Sequence, residues 1–391
     1  MVEEQHSPEQ QVNELIAQLG LHGRPMMFLL GAGASKAAGL PGIDKLTELV
    51  LGSLTGDHAN HFRAVRKASG GGNIEMVLNR LRLMQELLGP RDKLHSMTLK
   101  DATELDTAIC EGIISEVSPS EAPDSPSHVL FARWIRSTQS PIPIEVFTTN
   151  YDLIIELALE KERVPFFDGF VGAVRPFFLA SAVDEIAGPM GEAESVPHTW
   201  TRLWKIHGSV GWRLVQESGQ RVVVRDLSDM SGGDLVIYPS LRKYEEARRL
   251  PFLTLLDRLR SALMQPEPLL IVCGYSFADD HITEVLTEGV RVNQRAHIVV
   301  LCHGGIPSVV EDAASRLPNL TVLGRRNAIV ATRRGAWTEP ADPEGLRGLW
   351  STDEPIGLRL GEFGAFASFL ETLFQLPEPD PASENGAQDG N

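Results

Sequence analysis

The 391-residue sequence has few cysteines, no long apolar run and a deficit of basic side chains. Its three cysteines, Cys110, Cys273 and Cys302, lie far apart, which excludes a four-cysteine zinc site and is not typical of a secreted disulfide framework. No apolar run reaches the roughly 18 residues of a membrane span, and the first residues lack the basic and apolar regions of a signal peptide. We therefore expect a soluble, cytoplasmic protein that does not bind membranes.

The net charge is −16, from 36 Lys and Arg against 52 Asp and Glu. General binding to nucleic acid or to an anionic membrane needs an excess of basic side chains, so this balance argues against both. Four pairs of basic residues are interpreted as parts of solvent-exposed faces. The alternative is that they contact a partner or nucleic acid locally. They are Arg242-Lys243, Arg248-Arg249, Arg325-Arg326 and Arg333-Arg334.

The pattern of apolar residues predicts an α/β fold with a helical insertion. Short apolar runs predict parallel strands at residues 26–30, 142–148, 204–206, 268–273 and 296–302. We expect a doubly wound, Rossmann-like parallel sheet of about six strands with helices on both faces. We expect an N-terminal helix at residues 1–24 and the α/β domain at residues 25–376, with a helical insert at residues 44–140. Residues 377–391 are expected to form a disordered acidic tail.

The first predicted strand runs directly into the glycine-rich turn Gly31-Ala32-Gly33-Ala34-Ser35. Glycines at a strand end let the backbone approach a phosphate, and the following helix N-terminus supplies N–H groups. Lys36 stands where a dinucleotide fingerprint has its third glycine, and the Gly-Lys-Ser/Thr of a P-loop is absent. The turn therefore predicts either nucleotide binding or an ordinary tight β–α connection.

Three further motifs follow predicted strands or begin at their ends. They are residues 148–152 (TTNYD), residues 205–209 (KIHGS) and residues 273–277 (CGYSF). Because ligands bind outside the carboxyl ends of parallel strands, these segments and the glycine turn are expected to share one crevice. Each also has a structural interpretation: Asn150 as a helix N-cap, Asp152 as a charge in the first helical turn, His207 in a turn, and Gly274 in a strand-end turn.

The order of the four motifs resembles the sirtuin-like NAD-binding family over about residues 25–305. It is most similar to the bacterial branch that hydrolyses NAD in anti-phage defence. The resemblance implies that residues 25–376 form a sirtuin-like NAD-hydrolase domain, which takes NAD+ as substrate and holds no bound cofactor or metal. It also implies a homo-oligomer and a HerA-like ATPase partner, through which any contact with nucleic acid would be indirect.

The resemblance implies a role for eight residues. Asn150 would hold the nicotinamide ribose and position the attacking water, and His207 would be the base. Ala32, Gly33 and Ser35 would cradle the pyrophosphate, Asp152 would contact the nicotinamide amide, and Gly274 and Ser276 would contact the adenosine side.

Two differences between this sequence and the protein-deacylating sirtuins favour hydrolysis of NAD over protein deacylation. Deacylating sirtuins carry a four-cysteine zinc module after the His-Gly motif, whereas this chain has a predicted hairpin at residues 212–215 and 221–224. They also carry an Asp-Phe-Arg segment that residues 39–44 do not match. The alternatives are a non-catalytic subunit that senses NAD or ADP-ribose and, from kinship alone, a deacylase or ADP-ribosyltransferase.

Asp279, Asp280 and His281 are interpreted as a helix start, with a metal site as the alternative.

Overall fold

The computed structural model describes residues 4–374, except 22, 90, 119–125, 139, 185–195, 198, 218, 228–234, 238–250 and 347. The predicted acidic tail and the basic pairs at 242–243 and 248–249 lie outside the described residues. Among the helices of the described residues, none combines the length and the hydropathy of a membrane-spanning segment.

The described residues form thirteen helices and seventeen strands. The helices are α1 (Pro8–Leu19), α2 (Ala32–Ala37), α3 (Ile43–Ser53), α4 (Gly56–Ala68), α5 (Ile74–Leu87), α6 (Leu99–Val117), α7 (Pro126–Ser137), α8 (Ile154–Lys161), α9 (Ala180–Asp184), α10 (Pro251–Leu263), α11 (Asp280–Val292), α12 (Ser308–Ala314) and α13 (Phe363–Thr372). The strands are β1 (Gln5–His6), β2 (Met26–Leu30), β3 (Glu145–Thr148), β4 (Phe166–Phe167), β5 (Phe170–Val171), β6 (Phe177–Phe178), β7 (Thr201–Lys205), β8 (Gly208–Glu217), β9 (Gln220–Arg225), β10 (Leu235–Ile237), β11 (Leu269–Cys273), β12 (His297–Leu301), β13 (Leu320–Leu323), β14 (Asn327–Val330), β15 (Arg333–Trp337), β16 (Trp350–Ser351) and β17 (Gly357–Leu358).

A large, mostly parallel sheet organises the molecule. Its strand order is β1-β15-β14-β13-β12-β11-β2-β3-β7-β4, and the seven strands from β13 to β4 are parallel. This mixed α/β architecture is consistent with a Rossmann-like fold. The prediction of about six strands is wrong: among the described residues the sheet has ten, because β14 and β15 extend it in antiparallel pairing and β1 adds to its edge.

The central strands are buried on both faces. On β2, Phe28 and Leu30 pack into one core with helices α1, α7 and α13, while Met27 and Leu29 pack into a second core with α10 and α11. An apolar run without alternation is what burial on both faces requires. The predicted hairpin is confirmed as β8 and β9, which belong to a second, five-stranded sheet.

The chain adds strands to the sheet on one side of β2 first and on the other side later. From β2 the chain continues to β3 on one side, and it later returns to place β11 on the other side. The crevice outside the carboxyl ends of β2 and β11 is therefore the switch point, where open α/β sheets bind their ligands.

The segment predicted as a helical insert forms its own core from helices α3 to α6. The capping box of Thr98 and Asp101 starts α6, and the side chain of Asn73 accepts from the Met76 N–H to start α5. Helix α7, which lies in the same predicted segment, packs instead against the sheet through Phe131 and Trp134.

A buried ion pair fastens α10 to the sheet. Arg258 on α10 donates to both carboxylate oxygens of Glu145 on β3, at 2.6 and 2.9 Å. The indole N–H of Trp204 on β7 donates to the same carboxylate at 2.7 Å. These bonds hold together the two strands whose carboxyl ends carry Asn150 and His207.

Candidate functional site

The glycine turn lies against the end of β11. The N–H of Gly31 donates to the Cys273 carbonyl at 3.0 Å, and the N–H of Gly33 donates to the Gly274 carbonyl at 2.8 Å. A Cβ atom on Gly33 would lie only 2.6 Å from the Cα atom of Gly274, which itself adopts a positive φ of 69°. The glycines thus allow two strand ends to touch at the switch point, in agreement with the tight-turn interpretation. Approach of Gly33 to a phosphate stays a prediction.

Replacing Gly33 by alanine is expected to lower the free energy of unfolding by about 1–3 kcal/mol, because the new methyl group would meet backbone atoms that cannot rotate away. Thermal and urea unfolding of the full chain measure this loss. The control is Gly52→Ala on α3, where a Cβ atom meets nothing within 4 Å. Equal stability of Gly33→Ala and wild type would contradict the close contact.

Asn150 is held against the glycine turn. Its Nδ2 donates to the Gly31 carbonyl at 2.9 Å, and its backbone N–H donates to the Thr148 hydroxyl at 3.0 Å. Because Nδ2 is engaged, Oδ1 is the atom that can accept from a ligand, and it has no hydrogen-bond partner in the described part of the chain. The interpretation of Asn150 as a helix cap is wrong, since α8 is preceded by Leu153.

Asp152 and Ser35 bind each other. The Ser35 hydroxyl donates to Oδ2 of Asp152 at 2.5 Å, and Oδ1 accepts from the Ile154 N–H at 3.0 Å. Both side chains are buried. Asp152 lies two residues before α8 and not in its first turn, where the structural interpretation placed it; its carboxylate nevertheless holds the start of α8 and joins it to α2.

Lys205, which is not among the predicted site residues, supports the same loop. Its buried ammonium group donates to the carbonyl of Asp152 and, at 2.7 Å, to the carboxylate of Glu156. Burial raises the pKa of Glu156, and the charge of Lys205 opposes that rise. Lys205 lies at the end of β7, two residues before His207, and this position is the sequence feature that could have indicated its role at the site.

His207 is paired with an acidic residue. Its Nε2 lies 3.1 Å from Oδ2 of Asp279, whose Oδ1 accepts from the N–H groups of His281 and Ile282 at the start of α11. Burial raises the pKa of Asp279, but the hydrogen bond and charge of His207 and these two N–H groups lower it below its usual value. Because a carboxylate only accepts, Nε2 of the neutral ring carries the hydrogen and Nδ1 keeps the lone pair.

Asp279, Asp280 and His281 form the start of α11, as their favoured interpretation predicted. Within the described ranges, no group of three or more His, Cys, Asp or Glu residues could hold a metal ion. Asp279 was thus placed correctly in the fold, but its pairing with His207 was missed.

The remaining predicted residues lie in the two loops of the switch point. Ala32 is exposed at the first position of α2, and Ser276 is exposed after Gly274. The Tyr275 hydroxyl donates to the carbonyl of Asp279 at 3.2 Å, which folds this loop back toward His207. The four motifs are therefore linked by hydrogen bonds at one edge of the sheet, as their strand-end positions predicted.

Part of the chain is similar to a known protein family. Residues 144–317 match the family model of the SIR2-like domain. The match includes Asn150, Asp152, His207 and Gly274, whereas the glycine turn precedes it. No curated protein matches the chain. The domain match supports a sirtuin-like family and NAD-dependent activity in general.

Proposed function

We propose that the chain is an NAD+ hydrolase, which cleaves the bond between nicotinamide and ribose and releases ADP-ribose. One observation carries this proposal: Asn150, which is bonded to the glycine turn, and the paired His207 and Asp279 all follow parallel strands of the same sheet. The SIR2-like match over the same strands supports NAD as the substrate.

The chemistry requires a base and a group that orients water. The bonding electrons leave with nicotinamide, which becomes neutral, and positive charge develops on the ribose. A water molecule then bonds to the ribose C1′ carbon and gives its proton to Nδ1 of His207. Asp279 stabilises the charged ring, and Oδ1 of Asn150 accepts from the water or from a ribose hydroxyl.

The rest of the site would bind the substrate. Ala32, Gly33 and Ser35 would face the pyrophosphate, and Gly274 and Ser276 the adenosine. Asp152 would accept from the nicotinamide amide, with the Ser35 hydroxyl and the Ile154 N–H holding its carboxylate in place.

The segment after His207 favours hydrolysis over deacylation. The chain there forms the β8–β9 hairpin, and the three cysteines of the sequence are too few for a four-cysteine zinc module.

We further propose a role in anti-phage defence, with activity controlled by homo-oligomerisation or by a HerA-like ATPase. The mass of the chain in solution, alone and with such a partner, tests this control; a monomer in both cases would contradict it.

Replacing Asn150 by alanine is expected to lower the rate of nicotinamide release roughly a hundredfold, because the variant loses one oriented polar group of the site. Purified full chain is assayed with NAD+ over a range of protein concentrations, and products are separated by chromatography. Asn60→Ala, at an exposed position of α4, is the control and keeps the wild-type rate. NAD binding without product would contradict hydrolysis and favour the sensing subunit.

A further inference from the structure

Pairing of strands β3 and β7 stops before either predicted catalytic residue is reached. The two strands are parallel neighbours, and Thr148 lies opposite Lys205 in the last pair of their ladder. Asn150 comes two residues after Thr148, and His207 comes two residues after Lys205. The relative position of Asn150 and His207 therefore depends on contacts between the two loops that follow the strands.

Hydrogen bonds of the main chain join these loops on either side of Asn150. The N–H of Ile206 donates to the carbonyl of Thr148 at 2.9 Å, and the N–H of Val210 donates to the carbonyl of Tyr151 at 2.9 Å. Each bond holds one end of the loop that contains Asn150 against the neighbouring segment. The main chain thus joins the loops before and after this residue.

Lys205 adds a side-chain bond between the same loops. Its ammonium group donates to the carbonyl of Asp152, and only 1% of its side chain is exposed. Lys205 thus binds the main chain two residues beyond Asn150, while it lies two residues before His207. A shift of this one ammonium group is expected to change the distance between the two predicted catalytic side chains.

Glu156 on α8 holds the ammonium group in place. Its Oε1 accepts from Lys205 at 2.7 Å, whereas its Oε2 is buried without a hydrogen-bond partner in the described part of the chain. A buried ion pair seldom stabilises a fold more than apolar side chains of similar size do, and an unpartnered carboxylate oxygen adds a further cost. Stability alone therefore does not explain a lysine at this position.

We propose that Lys205 is a positioning residue of the site, which sets the place of Asn150 relative to His207 by holding the carbonyl of Asp152. The inference rests on the proposed function, since the attacking water must meet Oδ1 of Asn150 and Nδ1 of His207 at the same time. Small errors in such a spacing slow a reaction step strongly.

Binding of the substrate is expected to depend little on Lys205. The carboxylate of Asp152 is held by other bonds, from the Ser35 hydroxyl and from the Ile154 N–H. The glycine turn is held by the loop after β11. Loss of the ammonium group is therefore expected to lower kcat rather than to raise KM.

The test removes both charges of the buried pair at once in the full chain. Lys205→Met combined with Glu156→Met leaves neither charge buried and alone, so its unfolding temperature is expected to lie at least about 4 °C above that of Lys205→Met. We nevertheless expect kcat for NAD cleavage to stay roughly tenfold below the wild-type value, with KM changed by less than about twofold. Nicotinamide release and thermal unfolding measure these quantities.

Two further variants separate the ammonium group from the ion pair. Glu156→Gln keeps Lys205 and offers it an amide oxygen, so kcat is expected to fall by less than about threefold. Lys100→Met combined with Glu104→Met is the matched control, because it removes an exposed Lys–Glu pair from α6 and leaves kcat unchanged.

Recovery of the wild-type kcat when Lys205 and Glu156 are both methionine would overturn the inference and leave the proposed function intact. An unfolding temperature as low as that of Lys205→Met would also overturn it, because the lost rate would then come from a lost fold. A fall of roughly tenfold in Glu156→Gln would do the same, since the ion pair and not the bond to Asp152 would then set the rate. Absence of NAD cleavage by the wild type would instead contradict the proposed function and remove this inference with it.

Discussion

Replacing His207 by alanine is expected to lower kcat for NAD cleavage roughly a thousandfold, since the variant has no base to accept the proton of the attacking water. Nicotinamide release by the purified full chain measures the effect. Binding of NAD is expected to persist, because the glycine turn and the loop after β11 stay in contact without the imidazole. A rate close to that of the wild type would contradict the assignment of the base.

Two matched variants separate the chemistry of His207 from its place in the fold. Asp279→Asn removes the charge beside the ring but retains a side chain that can still cap α11, so a smaller loss of roughly tenfold is expected. His281→Ala removes an exposed imidazole two positions further along the chain and is expected to leave the rate unchanged. Thermal unfolding of each variant shows whether a lost rate comes from a lost fold.

Replacing Glu145 by alanine is expected to lower the free energy of unfolding by about 3–5 kcal/mol, because it leaves the guanidinium group of Arg258 buried without a counter-charge. Both side chains are nearly inaccessible, at 4% and 6% relative exposure. The indole N–H of Trp204 loses its acceptor as well. Urea unfolding measures the change.

The pair itself can be replaced as a control. Glu145→Met combined with Arg258→Met is expected to be more stable than Glu145→Ala, because neither charge then remains buried and alone. Glu104→Ala breaks an exposed pair with Lys100 and is expected to change the unfolding free energy by less than about 0.5 kcal/mol. A loss of similar size in Glu145→Ala and Glu104→Ala would contradict the structural role of the buried pair.

The parts of the fold that the sequence predicted depend on local patterns. The apolar run before the glycine turn predicted β2 with its observed bounds, and the hairpin pattern predicted β8 and β9. The position of each motif relative to a strand also predicted that the motifs meet at one edge of the sheet. The strand predictions follow from the regular alternation of side chains along a strand, and the meeting of the motifs follows from the common direction of parallel strands.

The parts that the sequence did not predict depend on contacts between distant residues. His207 and Asp279 are 72 positions apart, and no local pattern connects them. The edge strand β1 and its neighbour β15 contain polar residues, such as Gln5 and Arg333, that do not follow a buried-strand pattern. Glu145 lies in a run of apolar residues, so only the approach of Arg258 explains its burial.

The position of the insert has a consequence for folding. Strands β2 and β3 are neighbours in the sheet, yet more than a hundred residues separate Leu30 from Glu145 along the chain. Pairing them directly would close a long loop, which costs entropy before any contact is gained. Helices α3 to α6 are close in sequence and have their own core, so they can form early and shorten that loop. Variants that weaken the insert's core are therefore expected to slow the closure of the sheet, even though they lie outside it.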